Sequence, residues 1–154
     1  MLRKVSMGLG LGALIVAMGA GGVAAKPSSK KTKIHCTATA YNVAYPQLSG
    51  LALGVLKCSQ PFGSGVQKAN NKTSVTGTRL TVTGTFTNYF DNGTNHGSIH
   101  LSGTIRSGEI TASGSLSITG GTGAYKHVAG TGRATCTTRD AGKTFDCTVS
   151  GTMV

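Results

Sequence analysis

The chain has 154 residues, 15 of them Lys or Arg against four Asp or Glu, for a formal net charge of +11. Glycine accounts for 24 residues, tryptophan for none and aromatics for 5%. Four acids and four histidines leave few constellations for acid–base or metal chemistry, and the apolar stretch from Gly8 to Gly22 is short and glycine-rich for a membrane-spanning helix, which wants about 20 apolar residues.

Residues 1–25 read as a secretory signal peptide. Arg3 and Lys4 supply the positive start, Gly8 to Gly22 the apolar stretch, and Val23, Ala24 and Ala25 a small-residue cleavage site. Cleavage removes two basic residues and no acid, which lowers the charge from +11 to +9. Residues 26–33 then form a basic arm, expected to be disordered, with Lys26, Lys30, Lys31 and Lys33. The arm serves solubility or attraction to an anionic surface. Specific nucleic-acid recognition is not expected, because basic residues are not interleaved with aromatics on one strand face.

Residues 34–154 read as one all-β domain. Period-two alternation predicts strands over 34–43, 49–58, 73–90, 95–106, 109–119, 131–139 and 144–152. In 109–119, Ile110, Ala112, Gly114, Leu116 and Ile118 share one face, and serines and threonines share the other. The run 73–90 exceeds the usual strand length, and a bend or break at Gly77 would make eight strands of seven. Residues 59–72 are predicted to be the longest irregular loop. Asp91-Asn92-Gly93-Thr94 is a strong hairpin turn signal, with Ser107-Gly108 and Ala141-Gly142 marking two more.

Four cysteines in the exported part suggest two disulfides. A turn centred between Ala141 and Gly142 places Cys136 directly across the hairpin from Cys147, within bridging distance. That leaves Cys36 for Cys58. A zinc site finds no support, since there is no C-x₂-C pair and no histidine placed to complete one.

One apolar sheet face can be buried in a barrel or in a sandwich. Glycines within the strands favour the strong bending of a small barrel. The run LSITGGTGAYKHVAGTGRAT, 116–135, adds a second sign. Gly120, Gly121, Thr122, Gly123, Tyr125, Val128 and Gly130 resemble the GG-[TS]-G-x-[FY]-x-x-[AV]-x-G signature of allene oxide cyclases and dirigent proteins. A looser likeness covers 89–105. The resemblance implies an exported bacterial member of that superfamily. It further implies a closed antiparallel eight-stranded β-barrel with a small apolar cavity, and a structural role for Gly120, Gly121, Gly123 and Gly130. It does not carry an activity with it, because no acid precedes Asp91 and Asn42 has no acidic partner nearby in sequence.

The candidate ligand-binding side chains are Tyr41, Phe86, Ile99 and Leu101. No catalytic residue, metal ligand or cofactor is expected. His96 and His100 lie about 13 Å apart on one strand, too far to share a metal. Asn71-Lys72-Thr73 and Asn92-Gly93-Thr94 fit the glycosylation pattern and are expected in surface loops. Three functions remain open: non-catalytic binding of a small apolar or phenolic molecule, a structural or surface-interaction protein with a filled barrel, and an isomerase or coupling guide. The expected partners are thus a small hydrophobic molecule or an anionic surface, in a secreted or periplasmic setting.

Overall fold

A computed structural model of the chain describes residues 30–154. The expected signal peptide and the first part of the expected basic arm lie outside the described residues. Eight strands follow one another as a meander: β1 (Thr32–Asn42), β2 (Gly50–Cys58), β3 (Ser64–Thr76), β4 (Arg79–Phe90), β5 (Gly93–Arg106), β6 (Glu109–Gly121), β7 (Gly130–Thr138) and β8 (Thr144–Met153). Every neighbouring pair is antiparallel, and β1 pairs with β8, so the sheet closes into a barrel without a free edge. A single 3₁₀ turn, Gly123–Tyr125, lies between β6 and β7.

The seam that closes the barrel runs from Thr32↔Met153 to Tyr41↔Thr144. Cys36–Cys58 links β1 to β2, and Cys136–Cys147 links β7 to β8; both cysteine pairs are directly opposite in the ladder. The bridges therefore flank the seam on either side. Cys147 faces Ala38, two residues from Cys36, so both bridges reach the interior at neighbouring heights. Two disulfides place the fold in a non-reducing, extracellular type of environment.

Three expectations need correction. The segment 59–72 is not one irregular loop: Ser64–Lys72 belongs to β3, which pairs with β2 from Gly50↔Asn71 to Lys57↔Ser64. The inward positions of β3 include Gln67, Asn71 and Thr73, and polar side chains on both faces hide the alternation. The run 73–90 breaks where glycine permits it. Gly77 has φ of 59° and, with Thr78, turns β3 into β4. The arm also ends earlier than residue 33, because Thr32 and Lys33 already pair with Met153 and Thr152.

Inside, the apolar faces of all strands meet. Ile34, Leu56, Leu80, Phe86, Leu101, Ile110, Leu116 and Ile118 are buried, as the alternation requires. A bulge between His96 and Gly97 pairs Gly120 with His96 and Ile118 with Gly97, leaving Thr119 unpaired. At Gly97 the facing strand comes so close that a Cβ would collide with Ser117 O and lie 2.9 Å from the Phe86 ring. Gly97→Ala should therefore destabilise the barrel by about 1–3 kcal/mol, the cost of overpacking. Thr85→Ala, on the exposed face of β4, should change little. Denaturant midpoints of the oxidised proteins check both.

Candidate functional site: the barrel interior

Eight strands enclose a space that side chains just fill or that holds one small ligand. Here the inward side chains are often small, among them Ala38, Ala40, Ala52, Ala69 and Ala112, and two voids remain. The larger, about 110 Å³, is walled by Leu80, Val82, Phe86, Ile99, Leu101 and Ile110. The smaller, about 70 Å³, lies among Ile34, Leu56, Phe62, Phe90, Leu116 and Ile118. Gln67, Phe86, Ile99 and the Cys136–Cys147 bridge border both voids and form a waist between them.

The end below the smaller void is plugged by aromatics. Phe62 stacks on Phe90 at 5.0 Å, and Tyr125 tilts against Phe62 at 4.8 Å and meets Phe90 edge-on at 5.7 Å. The Tyr125 hydroxyl donates to Pro61 O at 3.2 Å. Burial, and then the Asp91 carboxylate, push the Tyr125 phenol above its ordinary range, so the hydroxyl stays protonated as the donor. The glycine-rich run thus delivers a plug. Gly123, with φ of 58°, brings the 3₁₀ turn against the β4–β5 turn, where Ala124 N donates to Asn92 O at 2.9 Å.

The opposite end is closed by two loops, 43–49 and 139–143. Asn42 ties them together. Its Nδ2 donates to Gln47 O at 2.7 Å and to Gly142 O at 3.2 Å, while Oδ1 accepts from Ala44 N at 3.1 Å. Thr73 Oγ1 donates to Leu48 O at 2.9 Å, and Leu48 borders the larger void as a partly buried cap. Asp140 shapes the second loop. Its carboxylate accepts from Thr138 Oγ1, from Thr144 N at 2.9 Å and from Lys143 N at 3.1 Å. These bonds, the Thr138 hydroxyl first, hold its pKa at about 2 against an ordinary 3.8.

Buried amides line the interior that the alternation marks as apolar. Gln67 Nε2 donates to Asn88 Oδ1 at 2.9 Å, and Asn88 Nδ2 donates to Asn95 Oδ1 at 2.9 Å. Asn95 is the most deeply buried of them, at 1% exposure. Asn71, on the wall of the larger void, keeps a buried Oδ1 with no partner. No side chain that walls either void is ionisable.

Of the four candidate ligand-binding residues, Phe86, Ile99 and Leu101 come together on the wall of the larger void. Tyr41 does not. It is 55% exposed on the outer face, because its neighbour Ala40 points inward and adjacent strand residues face opposite sides. Asn71 is likewise misplaced as a surface-loop residue, since it sits inward on β3. Asn92 does lie in an exposed turn. Phe62, Tyr125 and the amides at 67, 71, 88 and 95 are interior residues outside the expected set. For 88 and 95 the signal was present: they continue the inward parity of Phe86 and Phe90, and of Ile99 and Leu101. His35, His96, His100 and His127 are all exposed, and no group of three metal-ligating side chains occurs among the described residues. No family model, curated protein or solved structure matches this chain.

The Asp140 geometry gives a pH dependence with a definite sign. A carboxyl whose folded pKa lies below its unfolded value adds stability that is complete above the unfolded value and is lost as pH falls through the folded one. Melting temperature should therefore carry an Asp140 contribution that is constant above pH 3.8 and fades toward about pH 2. Asp140→Asn should be less stable than wild type at neutral pH, with the difference narrowing across that window. Circular dichroism melts of both proteins as a function of pH check it.

Proposed function

We propose that this chain is an exported barrel that holds one small apolar molecule, about the size of a single ring, without transforming it. The observation that carries this reading is the 110 Å³ void walled by Leu80, Val82, Phe86, Ile99, Leu101 and Ile110. An apolar cavity of about 150 Å³ stays dry and accepts benzene, so a void of this order suits one ring rather than a long chain. The unpartnered Oδ1 of Asn71 adds one polar feature, an acceptor for a hydroxyl carried by the ring. Such a molecule is a small phenol or a simple arene.

The absence of an ionisable wall residue supports binding without turnover. General acid–base chemistry needs a titratable group within hydrogen-bond reach of the substrate. The four acids instead occupy turns, strand ends or the outer face: Asp91 and Asp140 in turns, Glu109 at the start of β6, and Asp146 beside Thr39 on the surface. The signal-peptide reading of residues 1–25 and the two disulfides support secretion or a periplasmic location. Distant kinship with the allene oxide cyclase and dirigent barrels is part of the same proposal, resting on the glycine motif and the closed eight-stranded topology. The narrow waist and the smallness of the two voids favour one competing reading, a filled barrel with no ligand.

Phenol or toluene titrated into the oxidised protein separates these readings. Binding to the native state raises the melting temperature with ligand concentration, by an amount equivalent to about 2.7 kcal/mol at a hundredfold excess over the dissociation constant. Ala69→Leu, which fills the larger void from its wall, should abolish the shift while the protein stays folded. A wild-type melting temperature indifferent to both ligands would instead establish the filled barrel.

A further inference from the structure

The outer surface of the barrel has two unlike parts. Over β5 to β8 the outward positions are mostly hydroxyls. Ser102, Ser113, Thr135 and Thr148 stand directly opposite one another across these four strands. Over β1 to β4 a different patch interrupts the polar surface. Tyr41 faces Leu53, Val55 faces Val66, and Val66 faces Tyr89. Leu53 and Val55 are next neighbours on the same face of β2, so the pairs join into one patch, extended by Val43. These side chains are between 44% exposed, at Tyr89, and 57% exposed, at Val43. An apolar patch of this kind, rimmed by polar residues, marks an interaction surface.

Charge decides what kind of partner it fits. The first half of the described chain, residues 30–90, carries seven basic residues and no acid, whereas 91–154 carries five basic residues against all four acids. The apolar patch lies wholly on the first half. Lys68 stands directly opposite Leu53, and Lys57 follows Val55 on the outer face of β2. The nearest acid, Asp146, stands across Thr39 from Val55 with its carboxylate bonded to the Thr39 hydroxyl. The patch is therefore bordered by two lysines against one engaged acid, and a second copy would bring the same net-positive face to the contact. A partner that is anionic at its surface and apolar just beneath matches both features at once. Tyrosine rings, short aliphatic side chains and lysines with long stems are the residues that settle at the headgroup level of a bilayer. The hydroxyl-covered face of β5 to β8 rules out a barrel inserted across the membrane, which needs an apolar band all the way round.

We infer that the outer face of β1 to β4 docks the protein on an anionic lipid surface, with Leu53, Val55, Val66 and Tyr89 entering the interface and Lys57 and Lys68 held at the headgroups. The barrel interior takes no part in this contact, so the inference stands apart from ligand binding.

Co-sedimentation of the oxidised protein with vesicles of phosphatidylcholine, with and without phosphatidylglycerol, tests it. Two variants are compared with wild type after circular dichroism shows that they fold: Val55→Thr with Val66→Thr and Tyr89→Thr, and Lys57→Thr with Lys68→Thr. Threonine suits an exposed strand position, so both variants keep the barrel. Both also keep Lys30 and Lys31 of the arm and Lys33 at the start of β1. The expected result is binding to the phosphatidylglycerol vesicles alone, weakened by salt. The lysine variant should lose about thirtyfold in affinity and the apolar variant at least about tenfold. Failure to bind either vesicle overturns the proposal. Undiminished binding by the apolar variant would assign the attraction to the basic arm alone and overturn it too. A wild-type dimer in sedimentation velocity that the apolar variant dissolves, with no vesicle binding, would give the face to a second copy.

Discussion

Closure of β1 onto β8 is the constraint from which the other features follow. The two strands come from opposite ends of the described chain, so their pairing closes the longest loop in the fold and carries the largest entropy cost of ordering. Both covalent links sit beside this seam, one joining β1 to β2 and the other β7 to β8. On the loop-entropy account, separations of 22 and 11 residues correspond to about 3 kcal/mol of stabilisation for each bridge. Once the seam is shut, every strand has one inward parity, and the interior holds only what eight narrow walls can accommodate. Small residues dominate the inward set because the barrel is tight, and the same smallness leaves the voids.

That parity explains where the sequence was readable and where it was not. The alternation in 109–119 is clean because apolar and hydroxyl residues occupy separate faces, and the structure keeps both faces. The Cys136–Cys147 pairing followed from a turn position and a period of two. β3 was hidden because its inward residues include Gln67, Asn71 and Thr73 while Val66 and Val75 point out. Its place is set by the ladders to β2 and β4 rather than by its own pattern. The size of Tyr41 suggests an interior position, but Ala38 and Ala40 occupy the inward parity of β1 and leave Tyr41 outside. Phe62 and Tyr125 could not be placed from periodicity at all. They sit in connections, and only the folded chain brings them together over Phe90.

The two ends of the barrel differ in how they are closed. One is sealed by packed aromatic rings, which exclude water through area and shape. The other is held by hydrogen bonds that Asn42 and Thr73 donate to loop carbonyls and that backbone N–H groups donate to Asp140, with Leu48 as the apolar cap. Hydrogen bonds near the surface exchange readily with water, so the loop end is the lower-cost route to the larger void. Asn42 illustrates how position outranks residue type. An asparagine at the barrel mouth with both amide hydrogens donated to loop carbonyls acts as a clamp.

The central claim is that the upper interior of the barrel accepts a ring-sized molecule. Nuclear Overhauser contacts between toluene and the methyl groups of the oxidised protein test it directly. The account predicts contacts to Leu80, Val82, Ile99 and Leu101, the wall of the larger void, and none to Val55 or Val66 on the outer face. Contacts confined to the outer-face valines, with the interior methyls silent, would contradict it.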